Sequence, residues 1–306
     1  MRGLLFVATP GSVVSRKDNN VVITNENGTH KIPIGAIEHI FLFGGVHITT
    51  PTIRFATTKG KFIFMLNQFG KTVSVSMPEP ITSDYRIRLS QYELLNNESK
   101  KLNIIKMLLK IKAKNVGYIL GLNESKYNRS LYIKSLINNI KFDTLQEALG
   151  IDGNLNSAMF DFFRDNMLPK GFDFEVRQYH PPKDPVNTLL SLTYSVYYSI
   201  LIPMAISEGF DPYLGFFHIK RGRHAAFCSD VIEVSRPWLT FFAFQLLQDG
   251  FFHPMDFSVN DNGCFMKKKA LRAYIKIFSE RIIHKEDSFL DYSFQFLRKL
   301  KEIISK

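Results

Sequence analysis

A histidine, two carboxylates and several fixed positive charges fall within one stretch, Asp211 to Trp238, that is otherwise rich in apolar residues. Ionisable groups where a core would be expected are the layout of a site. Asp230 and Glu233 stand three apart, a spacing that places both carboxylates on one face of a helix. A hard divalent cation such as Mg²⁺ or Mn²⁺ takes carboxylate oxygens, and His218 lies close enough in sequence to add an imidazole nitrogen. The same D-x-x-E pattern also spells a capping box, with Asp230 at the helix start and Glu233 answering it. A histidine after Gly215-Phe216-Phe217 is equally readable as a hydrogen-bonded core residue. Arg221, Arg223, Arg236 and Lys220 either neutralise phosphates at such a metal or pair with the two acids.

The elements that must position these groups fall into two classes. From Leu4 to Met77, short β-branched runs alternate with turn signals such as Asn27-Gly28, Gly44-Gly45 and Lys59-Gly60. That pattern predicts a small, mostly antiparallel β domain over residues 1–80, with one short helix over Thr52 to Thr58 after the Thr50-Pro51 start signal. Two prolines near Met77 to Tyr85 mark a boundary, and the period beyond it is helical. Residues 81–306 are therefore expected to form a larger all-α domain, giving an α+β chain of two domains. Ile104, Ile105, Leu108, Leu109 and Ile111 form an apolar stripe, and Lys106, Lys110, Lys112 and Lys114 are expected mostly to face elsewhere, as a solvated helix face or a DNA track. Asp143 to Asp165 reads as a helix broken or bent at Gly150 to Gly153, and Arg177 to Pro185 as loop. Asn187 to Ser207 reads as a nearly all-apolar helix kinked at Pro203. Two amphipathic helices close the chain, with a basic cluster at Lys267, Lys268, Lys269 and Arg272.

Composition narrows the function. The 306 residues carry Lys+Arg 39 against Asp+Glu 28, a formal net charge of +11, with a sequence pI near 9.5. Such a balance suits a polyanionic partner, since phosphate contacts come from Lys and Arg. Cys228 and Cys264 are the two cysteines and form no C-x-x-C pair, which argues against a disulfide framework or a thiolate zinc site and for a reducing cytoplasm. Pro10 and Gly11 end the first apolar run early for a signal peptide, and Pro203, Ser207 and Glu208 interrupt the most apolar later segment, so no membrane span is expected.

Several motifs in fixed order resemble the CRISPR-associated protein one family, the endonuclease and integrase of spacer acquisition. They are Ile32-Pro33-Ile34-Gly35-Ala36-Ile37 with Phe41-Leu42-Phe43-Gly44, then Arg88 to Gln91, then Leu149 to Gly153, then Pro181 to Asn187, then Gly209 to His218, and finally Asp230-Val231-Ile232-Glu233 with Arg236-Pro237. The resemblance covers nearly the whole chain. It implies a metal, Mg²⁺ or Mn²⁺, held by Asp152, His218 and Glu233 as the catalytic set, with Asp230 as a supporting acid. It implies joining of a captured DNA fragment to a CRISPR repeat, the fragment's 3′-hydroxyl attacking a repeat phosphodiester by transesterification. It further implies a homodimer paired through the β domains and bridged by CRISPR-associated protein two.

Arg177, His180, Lys183, Arg221, Arg223 and Lys268 are the candidate DNA contacts, and Tyr194 or Tyr198 either packs in its helix or brings a hydroxyl to the site. One departure stands out, because the family usually has glutamate where this chain has Asp152. Aspartate reaches about 1.5 Å less far, one carbon–carbon bond, whereas Mg²⁺ tolerates little error in ligand distance. The alternative is therefore a DNA-binding structural subunit of the same assembly whose catalysis is weak or lost.

Overall fold

The computed structural model describes residues 3–67, 72–78, 85–122, 126–178, 181–218, 224–278, 280–281 and 289–305. The chain divides into two compact units, Met1–Thr82 with Lys267–Ser288, and Ser83–Met266 with Phe289–Lys306. A strand-rich N-terminal region followed by a helical remainder is the expected α+β class.

In the first unit the strands β1 (Gly3–Val7), β2 (Val13–Lys17), β3 (Asn20–Asn25), β4 (Gly28–Pro33), β5 (Ile37–Leu42), β6 (His47–Ile48), β7 (Ile63–Leu66) and β8 (Thr72–Ser76) form two four-stranded sheets. One runs β1-β5-β7-β8 and the other β4-β3-β2-β6. The hairpins β2–β3, β3–β4 and β7–β8 are antiparallel, while β1–β5, β5–β7 and β2–β6 pair in parallel. The mixture has a topological cause. A tight turn supports only antiparallel pairing, and α1 (Thr50–Thr58) supplies the crossover that lets β7 lie parallel to β5. The helix begins after Thr49, with Pro51 in its first turn where the missing N–H costs nothing. Alternate residues of the strands, among them Val14, Val21, Ile23, Ile40 and Ile63, meet Phe55 and Ala56 of α1 in the core. Phe6, Phe41 and Phe64 stack across β1, β5 and β7 with ring centroids 4.8 Å apart at each step. The helix α8 (Lys268–Phe278) belongs to this unit, where Arg272 lies 3.8 Å from Glu26.

The second unit comprises α2 (Tyr85–Asn96), α3 (Glu98–Leu120), α4 (Lys126–Asn138), α5 (Leu145–Met167), α6 (Pro185–Ser207), α7 (Ala226–Gln248) and α9 (Phe289–Ile304). A two-stranded hairpin of β9 (Phe257–Asn260) and β10 (Gly263–Met266) interrupts the expected all-α character. It pins the Pro181–Pro185 loop: Cys264 N–H donates to the Pro182 carbonyl at 2.8 Å and Thr188 Oγ1 to the Cys264 carbonyl at 2.9 Å. α7 is buried along nearly its whole length, as a helix apolar on all sides must be, and α3, α6 and α9 pack around it. α6 is long and apolar enough to cross a bilayer, but 78% of its most apolar window is buried inside the unit.

The expected break at Gly150–Gly153 does not occur, and α5 is continuous from Leu145 to Met167. Two interior glycines cost a helix about 1 kcal/mol each. Opposing them is a capping box at the start, with Glu147 N–H on Thr144 Oγ1 at 3.2 Å, worth about 1 kcal/mol. The buried stripe Ala148, Leu155, Met159, Phe163 and Met167 then carries the helix through, Phe163 stacking on Phe244 at 4.9 Å.

Candidate metal centre

Four segments of the second unit converge on one cluster of charged groups. α3 contributes Lys112, α5 contributes Asp152, α7 contributes Asp230 and Glu233, and the loop before α7 contributes His218. The α7 residues lie inside the helix, whose cap is Ala225, so the D-x-x-E pattern is no capping box here. Their shared face turns inward, with Asp230 0% and Glu233 2% exposed.

Asp230 organises the histidine loop. Its Oδ2 accepts the backbone N–H of Phe216 at 2.6 Å and of Phe217 at 3.1 Å, and its Oδ1 accepts that of His218 at 2.8 Å. His218 Nδ1 lies 2.8 Å from the same Oδ1. A carboxylate can only accept, so Nδ1 carries a proton, and in the neutral ring Nε2 is left with its lone pair for another partner. Burial alone pushes the His218 pKa down, but the hydrogen bond and charge of Asp230, with the charge of Glu233, outweigh it and hold the imidazole above its usual value. Burial also raises the Asp230 carboxyl, against the imidazole and backbone N–H donors that favour its anion.

The loop is fixed from its other end by Gln91 of α2. Its Nε2 donates to the carbonyls of Asp211 at 3.0 Å and Leu214 at 2.8 Å, and its Oε1 accepts from Asp211 N–H at 2.8 Å. Gly215 allows the loop to close onto α7, since a Cβ there would stand 2.8 Å from both the Ala226 Cβ and the His218 carbonyl.

Asp152 and Glu233 come together around a cation supplied by the chain itself. Lys112 Nζ lies 2.5 Å from Asp152 Oδ1 and 2.6 Å from Glu233 Oε2. Lys112 was expected to face away from the apolar stripe with its neighbours, but it is 0% exposed. The reason is its position, four residues after Leu108 and four before Val116, both fully buried. The other Glu233 oxygen accepts from Arg236 Nε at 2.8 Å and Nη2 at 2.7 Å. Burial opposes ionisation of Glu233, yet Arg236, Lys112 and His218 together hold its carboxyl well below the usual range. Asp152 Oδ2 accepts from Asn156, one turn along α5, at 3.0 Å.

Asp152, His218 and Glu233 thus share one unit, but they do not form a closed coordination shell. Among the described residues no group of three His, Cys, Asp or Glu side chains stands ready to hold a metal ion. The donor chemistry nevertheless fits a hard cation. Two buried carboxylates from different helices already share one positive centre, the imidazole Nε2 is uncommitted to Asp230, and the His218 side chain is 32% exposed. Asp152, His218 and Glu233 are residues that could hold it, and Asp230 lies behind the histidine.

Other candidates are placed as follows. Arg177 donates to Asn187 Oδ1 at 2.8 Å and Ser191 Oγ at 2.9 Å and lies over the Tyr194 ring, binding its loop to α6. Lys183 and Lys268 are exposed, the latter on α8 in the first unit. His180, Lys220, Arg221 and Arg223 lie outside the described residues. Tyr194 bonds Thr240 at 2.6 Å, and Tyr198 accepts from Ala225 N–H at 2.6 Å and stacks on His224, so both phenols make hydrogen bonds within the unit. Arg236 also stacks on Tyr194, 4.8 Å from the ring centroid.

Residues 5–280 match the family model described as CRISPR associated protein Cas1. The CRISPR-associated endonuclease Cas1 of Methanocaldococcus jannaschii is 24% identical over 293 residues, covering 95% of this chain and 87% of the relative. A solved Cas1 protein from Thermotoga maritima superposes with a TM-score of 0.83 at 21% identity, covering 99% of this chain and 96% of the other. A casposase bound to its integration product superposes with a TM-score of 0.80 at 20% identity, covering 99% and 89%.

Proposed function

The chain belongs to the CRISPR-associated protein Cas1 family, and from that premise we propose that it is a metal-dependent DNA endonuclease and integrase of CRISPR adaptation. The observation that carries this reading is the gathering of Asp152 and Glu233 about one cation position beside a histidine oriented by Asp230. Bound Mg²⁺ or Mn²⁺ would supply a Lewis acid that lowers the pKa of an attacking hydroxyl and offsets charge on the transferring phosphate. Asp152, Glu233 and His218 Nε2 are its ligands in this proposal. Asp230 fixes the imidazole's tautomer and direction, and Arg236 keeps Glu233 anionic while buried. In the joining step the 3′-hydroxyl of a DNA fragment forms a new phosphorus–oxygen bond at a repeat phosphodiester. The bond to the displaced 3′-oxygen breaks, one proton leaves the nucleophile and one is taken up by the leaving oxygen, with no covalent enzyme intermediate.

Lys183, Arg221, Arg223 and Lys268 are proposed DNA contacts, and Arg177 acts by holding the loop that carries Lys183. The β4 edge is largely exposed and Val73 of the β8 edge is 71% exposed, which supports pairing of two copies through the first unit and contact with CRISPR-associated protein two. The buried free thiols of Cys228 and Cys264 support a reducing, cytoplasmic setting.

A second reading, a DNA-binding structural subunit with weak or lost catalysis, is favoured by one observation: Lys112 holds the position between the two acids, one of them the shorter Asp152. A strand-joining assay with a short duplex, a repeat-bearing plasmid and Mn²⁺ decides between them. Joining that is abolished in His218→Ala and Glu233→Gln and retained in the exposed-site variant Lys170→Ala supports the enzyme. Duplex binding with no joining in the wild-type chain, and a gain of joining in Asp152→Glu, supports the attenuated subunit. Joining that survives in both His218→Ala and Glu233→Gln overturns the assignment of the centre.

A further inference from the structure

The helix that sends Lys112 inward presents three other lysines on its opposite side. Lys106, Lys110 and Lys114 follow one another at four-residue intervals along α3, and with Lys299 of α9 they line an open groove of about 410 Å³ floored by Ile111 and by Ile137 of α4. Lys110, Lys114 and Lys299 are exposed and form no ion pair among the described residues, while Lys106 lies over the Phe142 ring at 5.2 Å. Among the described residues no acidic one lines the groove.

We propose that this groove is a track for the phosphodiester backbone of DNA, distinct from the centre at Asp152 and Glu233. Four residues of helix rise about 6 Å, so the three lysines are rooted along a row about 12 Å long. One DNA strand presents a phosphate about every 3.4 Å of axis, so the row spans three or four phosphates. Lysine acts on phosphate as a point charge without a required fork geometry, which suits sequence-independent hold on a moving strand. The apolar floor accommodates sugar edges between the charges. An acidic protein surface is the poorer match, since among the described residues Asn103 is the groove's one uncharged polar side chain and supplies little hydrogen-bonding complement. Lys112 stands two residues from both Lys110 and Lys114, about 200° around the helix from each, so the row cannot itself reach the acid pair. Its role is to hold duplex away from the reacting phosphate. The inference rests on the proposed function only in taking DNA as the polyanion.

Binding of a short fluorescent duplex to the full chain, followed by anisotropy across a salt series, tests it. The variant Lys110→Gln/Lys114→Gln/Lys299→Gln is compared with the charge-matched Lys31→Gln/Lys59→Gln/Lys170→Gln, all six positions being exposed. The groove variant is expected to lose about 2.7 from the steepness of log K against log salt, about 0.9 per lysine. Between about 50 and 200 mM salt its affinity then falls about fortyfold less than that of the wild type. The charge-matched variant is expected to keep the wild-type slope, and both to keep the wild-type melting temperature. A groove variant with the wild-type slope overturns the proposal, as does a slope lost equally in both variants. Loss of binding to an acidic protein or to RNA with duplex binding unchanged overturns it also. Duplex binding with the expected slopes but no strand joining in the wild type would overturn the proposed enzymatic function and leave the groove supported.

Discussion

Lys112 and Glu233 are 121 residues apart in sequence and meet as a buried ion pair, Nζ 2.6 Å from Oε2, with neither side chain open to solvent. An ion pair in such a place seldom adds stability over apolar packing, but removing one partner strands the other. Here the partners number three, because the same ammonium holds Asp152. The pair of acids is therefore brought together by a cation that the fold itself supplies.

Replacing Lys112 with Met keeps an unbranched side chain one atom shorter and removes its charge. Lys112→Met is expected to lower stability by about 3–5 kcal/mol, the usual cost of an uncompensated buried charge. Mn²⁺, able to take the ammonium's place between the carboxylates, should restore much of that loss in the variant while shifting the wild type far less. Thermal unfolding with and without Mn²⁺ measures both. A variant as stable as the wild type would show that Lys112 is not what holds the acids.

Asp230→Asn preserves shape and removes one acceptor. The new amide N–H₂ must face backbone donors, either the pair from Phe216 and Phe217 or that from His218, at a cost of about 1–3 kcal/mol. The imidazole also loses the partner that fixes its tautomer, so Mn²⁺ affinity should fall about 10–100-fold. Titration followed by electron paramagnetic resonance reads the affinity, and urea unfolding reads the stability. Unchanged metal affinity would remove Asp230 from the supporting role.

Gly150 lies on the exposed side of α5, and a Cβ there meets nothing within 4 Å. Gly150→Ala should therefore stabilise the second unit by about 0.5–1 kcal/mol through lower backbone entropy in the unfolded chain. Urea unfolding checks the sign. A destabilised variant would mean that this part of α5 departs from ordinary helix.

His39 supplies a pH dependence unrelated to the centre. Its Nδ1 accepts the Phe62 N–H at 3.3 Å, which requires the neutral ring, and burial, with the charge of Lys61, lowers its pKa to about 4. A depressed histidine pKa means that the unfolded chain binds the extra proton first as pH falls. Stability should thus be level above about pH 6.5 and decline between there and about 4, by roughly 3 kcal/mol in all. His39→Leu should flatten that part of the profile in urea unfolding measured across pH. An equal slope in the variant would assign the dependence to other groups.

The two classes of structure were legible because period and punctuation change together near Met77, and His218, Asp230 and Glu233 could be singled out because charge sat in an apolar run. Parallel pairing in the first unit was not legible, since strand order depends on crossovers that no local pattern records. The continuity of α5 was hidden by Gly150 and Gly153, whose local cost is overcome by packing against partners distant in sequence. Lys112 left a signal that could have been used. Its place on the stripe of Ile105, Leu108 and Val116 requires a buried anion as partner, and Asp152 and Glu233 are such anions. Arg236 had two open partners in sequence, and the i,i+3 geometry of α7 selects Glu233.

The bracket made by Gln91 has a consequence for how the histidine loop can vary. Three backbone groups of the loop find partners on one amide side chain 120 or more residues upstream. The shape of Asp211–Leu214 is thus held jointly by Gln91, in the first helix of the second unit, and by the loop's own Asp211, whose Oδ1 accepts the Tyr213 N–H at 2.8 Å. Transplanted between relatives without its glutamine, the loop would arrive with the Leu214 carbonyl and the Asp211 N–H stripped of their Gln91 partner, so α2 and the loop must vary together.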